Sequence, residues 1–340
     1  MASDGAREHE IGFGWKLGVF AGLAALAVAW APFWGHVRIP LSALWSGGDP
    51  SKINVLWELR IPRVLMAFLA GTALSTSGMV FQAMFRNPLA TPFTLGVSSG
   101  AALGATVAIY CGWTFALFGV SSVSISAFAG AVLSIGVVYL MTARNRRGSS
   151  TATMLLAGVA ASFFFSSLIL FLQYITDFTR SFRMLRWTMG GFEGIVQFRD
   201  VLSVFPFVVS GCLIVWYLLL ELNLLATGEE FAFSRGVHVN QTKLLLFFAV
   251  SLMVGAVVAI CGPIGFVGLM APHICRLIVG PDHRRLYPAA WLFGGAFLVI
   301  CDTAARVSPT ELPVGIITSL LGGPFFLWLL LARRQDFGEI

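Results

Sequence analysis

The stretch from Lys243 to Cys261, KLLLFFAVSLMVGAVVAIC, decides the fold class. Its one charge stands first, and eighteen uncharged residues follow. As a helix, nineteen residues rise roughly 28 Å at ~1.5 Å each, close to the ~30 Å of hydrocarbon in a bilayer. Working outward, runs of the same kind recur at 13–34, 62–84, 93–111, 114–142, 152–175 and 200–222 before it. Further runs follow at about 264–280, 287–304 and 313–332. Ten spans are predicted, so the chain reads as an all-α polytopic membrane protein with ten transmembrane helices. The composition agrees. Hydrophobic residues make up 57% and charged residues 11%, where about 45–50% and about 25% are usual in soluble domains. So few charges cannot cover a soluble surface, and so apolar a chain does not stay disordered.

The expected organisation is a cytoplasmic N-terminal tail over 1–12, one transmembrane domain over 13–332 and a cytoplasmic C-terminal tail over 333–340. Residues 1–12 carry Asp4, Glu8 and Glu10 rather than a basic leader, so the first apolar run is read as a retained helix. An even number of spans puts both termini on one side. With that side cytoplasmic, thirteen of the 22 Lys and Arg residues fall inside and nine outside. The net charge of +6 therefore follows topology rather than nucleic acid, and no nucleic-acid partner is expected. Nine outside is nevertheless many. Either the span count is off, or outer arginines have a task that overrides the rule.

Several local patterns stand out. Gly96-x-x-x-Gly100-x-x-x-Gly104 lets helices approach closely in lipid and reads as packing. Residues 86–92, Arg-Asn-Pro-Leu-Ala-Thr-Pro, break the helix, with Asn87 and Thr91 offering partners to freed backbone groups. Residues 262–268, GPIGFVG, read as a tight turn between packed helices. His273 reads as a packing histidine, the five cysteines read as small buried hydrophobes, and no metal-ligand set is visible. The polar segment 223–242 contains a short amphipathic helix closed by Gly236. Its Phe231 and Phe233 point to a docking partner or to a place on the membrane surface. No G-x-x-x-x-G-K-[ST] occurs, so the chain is not expected to hydrolyse nucleotide. Carboxylates within the spans are nearly missing, which argues against an ion-coupled carrier.

Three blocks carry a family resemblance. The first is Arg60-Ile61-Pro62-Arg63, then Gly71 to Gln82, then Asn87-Pro88-Leu89-Ala90-x-Pro92-x-x-Leu95-Gly96. The second is Gly265-Phe266-Val267-Gly268-Leu269-x-x-Pro272-His273-x-x-Arg276, followed by Asp282-His283-Arg284. The third is Asp302-x-x-Ala305-Arg306, Glu311 to Gly315, and Gly322-x-Pro324-x-Phe326. Together, over about 56–332, they resemble the FecCD-type permeases. These are the membrane subunits of type II ABC importers for ferric siderophores, haem and cobalamin.

The resemblance implies a ten-helix permease in the inner membrane. It would act with a second permease copy or a paralogue, two ATPase subunits and a periplasmic binding protein. No cofactor is expected on this chain; ATP and Mg belong to the ATPase. Arg60, Arg63 and Arg306 correspond to residues that accept acidic side chains of the binding protein. Asn87, Leu89, Ser150 and Thr151 correspond to the cytoplasmic gate. The ATPase-contacting helices correspond to about 224–238, with Gly228, Glu229, Glu230, Arg235 and Gly236. An iron complex is the expected cargo. Trp187-Thr188-Met189-Gly190-Gly191-Phe192 is similar to the cobalamin-type pattern, which keeps cobalamin close behind. Arg180, Arg183 and Arg186 would either attract an anionic cargo or anchor the interface. A secondary transporter of another class remains the competing reading.

Overall fold

The computed structural model describes residues 2–35, 50–117, 119–143, 151–192 and 196–334. Helix α1 (Ala2–Trp30) carries the first apolar run, and Pro32 then tightens the chain into a 3-10 turn over Ala31–Phe33. A short helix α2 (Pro50–Val55) continues through one π turn, Leu56–Arg60, into α3 (Ile61–Met84). A turn-rich segment, 85–96, leads to α4 (Val97–Cys111), which Gly112 ends in the left-handed region. Strands β1 (Ala116–Leu117) and β2 (Val120–Ser121) pair antiparallel in a minimal hairpin. The Ser121 hydroxyl accepts from the Ser124 N–H at 3.1 Å as α5 (Ser122–Ala143) begins.

Helix α6 (Thr151–Ile175) is followed by α7 (Phe178–Met189), capped by Asp177, and α8 (Phe198–Tyr217), opened by a Gln197–Asp200 capping box. Then come α9 (Leu219–Thr227), α10 (Glu229–Ser234), α11 (Val239–Cys261) and α12 (Val267–Val279). The last two are α13 (His283–Val307) and α14 (Val314–Arg334).

Helix α3 is the centre. Every residue from Ala70 to Met84 is buried. A helix covered on all sides lies inside a bundle. Its neighbours are α13, α12, α11 and α8. By contrast α6 leaves Leu156, Phe163, Phe164, Leu170 and Phe171 exposed, as a helix facing hydrocarbon does.

Lipid is as apolar as Leu, so close backbone packing has to hold these helices together. The glycines supply it. A Cβ on Gly78 of α3 would sit 1.6 Å from the Gly268 carbonyl of α12. On Gly100 it would sit 2.5 Å from the Gly130 carbonyl, and on Gly104 2.0 Å from that of Ser126. The Gly96–Gly100–Gly104 spacing read as packing in the sequence, and the structure places its Gly100 and Gly104 contacts at the α4–α5 seam.

Among the described residues, seven helical stretches are long and apolar enough to cross a membrane: Phe13–Phe33, Lys52–Met84, Ser122–Thr142, Thr153–Ile175, Phe198–Tyr217, Val239–Cys261 and His283–Val307. Three shorter apolar helices, Val97–Cys111, Val267–Val279 and Val314–Leu329, stand where the third, eighth and tenth spans were expected. The first two would rise only about 20 Å at ~1.5 Å per residue. The turns at 85–96 and 262–266 precede them, and Ala90, Thr91, Leu95 and Ile264 there are buried. Irregular backbone of this kind is tolerated at depth because protein covers it.

Two boundaries and one cysteine differ from the sequence reading. The fourth expected span, 114–142, starts as a hairpin, because Gly119 takes φ +81 and turns the chain back before Ser122. The sixth, 200–222, breaks at Leu218, so the polar arm begins with α9 rather than at 224. Cys111 is exposed, whereas the other four cysteines are buried.

Candidate functional site

The three arginines expected to meet a binding protein come together at the end of the bundle where α3 starts and α13 stops. Both Nε and Nη2 of Arg63 lie 3.0 Å from Asp302 Oδ1. Arg306 Nε lies 2.9 Å from Asp302 Oδ2, at ion-pair distance but not aligned as a hydrogen bond. Arg306 Nη2 also donates to the Ala31 carbonyl at 3.3 Å, and Arg60 Nη1 to that of Pro32 at 3.0 Å. The 3-10 turn after α1 is therefore gripped by two guanidinium groups. Arg60 and Arg306 are buried, and Asp302 has no exposure at all. Arg63 keeps partial exposure, with its guanidinium 6.0 Å from the Phe192 ring centre. In this arrangement the arginines face inward on Asp302 and backbone carbonyls rather than reaching out from the surface.

Beside this cluster three segments meet backbone to backbone. The Gly191 N–H donates to the Cys261 carbonyl at 2.7 Å, and the Gly315 N–H to that of Gly190 at 3.0 Å. Gly190 sits at φ +69, and a Cβ there would lie 1.9 Å from the Pro263 carbonyl. The junction walls a cleft of about 610 Å³, bordered by Phe93, Thr188, Met189, Pro263, Ile316 and Leu320 among others, with no charged side chain. A smaller cavity of about 250 Å³ is lined by Arg183, Arg186, Trp187, Ser121 and Ser124. Arg180 is tied elsewhere, to the Tyr110 carbonyl at 2.9 Å and to Asp177. That geometry favours anchoring for Arg180 and leaves Arg183 and Arg186 beside a cavity.

The 86–92 break is held much as its sequence implied. Asn87 Oδ1 accepts from the Leu89 N–H at 2.9 Å, and Leu89 is exposed. Thr94, not Thr91, supplies the hydroxyl: it donates to the Thr91 carbonyl at 2.7 Å and accepts from the Thr91 N–H at 3.2 Å. Thr151 opens α6, and Ser150 lies outside the described residues. His273 packs edge-on to Phe325 with ring centres 5.9 Å apart. Among the described residues no three His, Cys, Asp or Glu side chains cluster as metal ligands would.

The arm α9–α10 turns at Gly228, whose φ of 148° and ψ of 148° suit glycine. Gly236, at φ +85, closes α10. Its N–H bonds the Phe233 carbonyl and the Val237 N–H bonds that of Ala232, a Schellman motif. Glu230, Phe231, Phe233 and Arg235 are exposed, with Arg235 5.2 Å above the Phe231 ring. Glu229 turns back instead: its carboxylate meets Nζ of Lys243, which is 2% exposed at the start of α11. Sequence reasoning missed Lys243; its signal was a single charge standing at the head of a long apolar run. Asn223 was missed too, a lone amide inside the apolar helix LLELNLLAT. Near it, burial alone would raise the Asp282 carboxyl. The hydrogen bonds from Asn223 and the Arg284 backbone, with Arg285 and Arg284 close by, outweigh this and hold it below the ordinary carboxylate range.

The model of the FecCD transport family matches residues 23–332. The chain belongs to the FecCD transport family. This permease is 43% identical over 303 residues to a cobalamin import system permease of Halobacterium salinarum, covering 88% of this chain and 80% of that one. It is 39% identical over 306 residues to a hemin transport system permease of Yersinia pestis, covering 89% and 91%. Among solved structures it is similar to an inward-facing ABC transporter assigned to the metal-chelate type. There the TM-score is 0.83 and the identity 32%, over 93% of this permease and 98% of that chain. The family is that of ABC importer permease subunits, which are not themselves enzymes and which work with ATPase and binding-protein partners. The permease is thus a multi-pass membrane protein with the type II importer fold.

Proposed function

We propose that this permease carries a metal chelate from a periplasmic binding protein into the cytoplasm by alternating access, driven by ATP hydrolysis on partner subunits. The observation that carries the reading is the uncharged cleft at the Gly190–Gly315 junction. Its volume suits a ligand of several hundred Å³, and its mostly apolar walls, with Thr188 and Ser319 as the hydroxyl side chains, give a bulky complex few polar groups to stick to. A second permease copy or a paralogue would complete it across the membrane. Both termini would lie in the cytoplasm, and the membrane would be the inner one. Asp302, the acidic side chain buried among the described residues, is neutralised by two arginines and offers no free carboxylate to a coupling ion. That weighs against Asp302 as an ion-coupling site.

Roles follow for the ends of the bundle. Arg63, the partly exposed member of its cluster, would receive a carboxylate of the binding protein, with Arg60 and Arg306 adding to the local positive field that steers docking. Asn87 and Leu89, with Ser150 and Thr151, would form the gate. Glu230, Phe231, Phe233 and Arg235 would face the ATPase, while Glu229 braces the arm through Lys243. No cofactor would be held by this chain; the ATPase would bind ATP and Mg.

An iron complex, ferric siderophore or haem, is the first cargo reading. Cobalamin is the second, favoured by the 187–192 pattern and by the 43% identical relative named as a cobalamin permease. Proteoliposomes carrying the complete complex would be offered haem, a ferric siderophore and cobalamin in turn. Uptake of haem or the siderophore alone supports the first reading. Uptake of cobalamin alone replaces it with the second, and uptake of none overturns both.

A further inference from the structure

The arm is fastened to the bundle through α9 as well as through the Glu229–Lys243 pair. Asn223 Nδ2 donates to Asp282 Oδ1 at 2.8 Å. Asn223 Oδ1 accepts from the His283 backbone N–H at 2.9 Å and lies 2.7 Å from His283 Nδ1. A single amide thus uses its donor on the cap of α13 and its acceptor on the first residue of that helix. Asp282 meanwhile caps the Arg284 N–H at 3.0 Å. The first N–H groups of a helix have no partner within it. Here the arm supplies one. His283 is buried, so its side of the junction is partly shielded from water, while Asp282 and its bond to Asn223 are exposed. Leu222 and Leu225 of α9 are also buried, and α9 packs on α3 and α13.

Helix α13 continues from this junction for 25 residues, roughly 37 Å at ~1.5 Å each. Its far end carries Asp302 and Arg306, which hold Arg63 of α3 and the turn after α1. One helix therefore links the arm to the arginine cluster. Apolar contacts are non-directional and would let α9 slide along α13. A donor and an acceptor fixed on two neighbouring residues resist sliding.

We propose that Asn223 is the positioning residue that couples the arm to α13, so that movement of the arm reaches the arginine cluster at the opposite end. The inference rests on the importer reading above. Asn223 touches neither cargo nor nucleotide; it acts through α13.

The test uses the assembled complex in proteoliposomes, with haem, a ferric siderophore and cobalamin supplied in turn. Two rates are read, ATP hydrolysis and cargo uptake, and their ratio is the measure. N223D keeps the acceptor toward His283, loses the donor and sets a second carboxylate against Asp282. D282N keeps an oxygen both for the Arg284 N–H and for Asn223. In the double variant N223D/D282N donor and acceptor exchange sides, so the junction is restored.

The expected result is that N223D still assembles and hydrolyses ATP while cargo moved per ATP falls about tenfold or more. D282N stays close to wild type, and the double variant recovers most of the loss. Unchanged cargo per ATP in N223D overturns the proposal. So does a folded double variant as impaired as N223D. Should N223D fail to assemble, N223A, which adds no charge, is measured instead, and a ratio equal to wild type overturns the proposal in the same way. A wild-type complex that shows no ATP-driven uptake would overturn the importer reading itself, a result distinct from any variant effect.

Discussion

Asp302 lies between Arg63 and Arg306 with no solvent exposure, and both guanidinium groups depend on it. Removing one partner of a buried ion pair strands the other, at a cost of about 3–5 kcal/mol. D302N is therefore expected to lower the thermal midpoint of the detergent-solubilised permease by several degrees; a midpoint equal to wild type would mean the cluster is well solvated. Asp282 gives a pH prediction. Its carboxyl is held below its ordinary value near ~3.9, so its contribution to stability is complete above that value and fades as pH falls through the lower folded value. The stability gap between wild type and D282N should be present at neutral pH and close in strong acid, followed by circular dichroism. A gap constant across that range would contradict the assignment. At this scale the sequence was legible only in part. The excess of outer arginines signalled a shared task, but Asp302 stands 239 positions from Arg63, and no local pattern announces such a pairing. The same holds for Lys243, whose partner lies on a separate helix.

Among the elements, close backbone contact rather than hydropathy sets the arrangement. G78A would place a methyl group where the Gly268 carbonyl sits and should abolish folded protein in the membrane. G236A has open space around it and meets only the backbone cost of φ +85, about 1–2 kcal/mol. The yield of monodisperse protein on size exclusion should fall sharply for the first and little for the second. Equal losses would show that the α3–α12 approach is not limiting. Long apolar runs made most helices readable in advance, since backbone in hydrocarbon has few alternatives. The hairpin at 116–121 and the break at Leu218 were not readable. Both lie inside apolar runs, and both depend on single residues, Gly119 and Leu218, whose conformations hydropathy does not register.

At the scale of the whole molecule, three arginines gather around Asp302 at one end, a charge-free cleft lies beside the 187–192 segment, and an arm with exposed aromatics leaves the bundle. F233E should weaken recovery of the ATPase with the permease without altering the permease's own thermal midpoint, because Phe233 is 75% exposed. Loss of both together would place Phe233 in the fold rather than at a partner. The motifs around Arg60, Gly265 and Asp302 made the family legible, and the match over 23–332 agrees with them. Cargo was not legible, because an uncharged wall carries little chemical signature. The most direct test of the central claim is uptake by proteoliposomes holding the permease, its ATPase and its binding protein, with the ATPase omitted in one arm and ion gradients collapsed in another. Uptake that needs ATP, the ATPase and the binding protein, and that survives collapse of the gradients, is the predicted result. Uptake that persists without the ATPase and stops when the gradients collapse would contradict it.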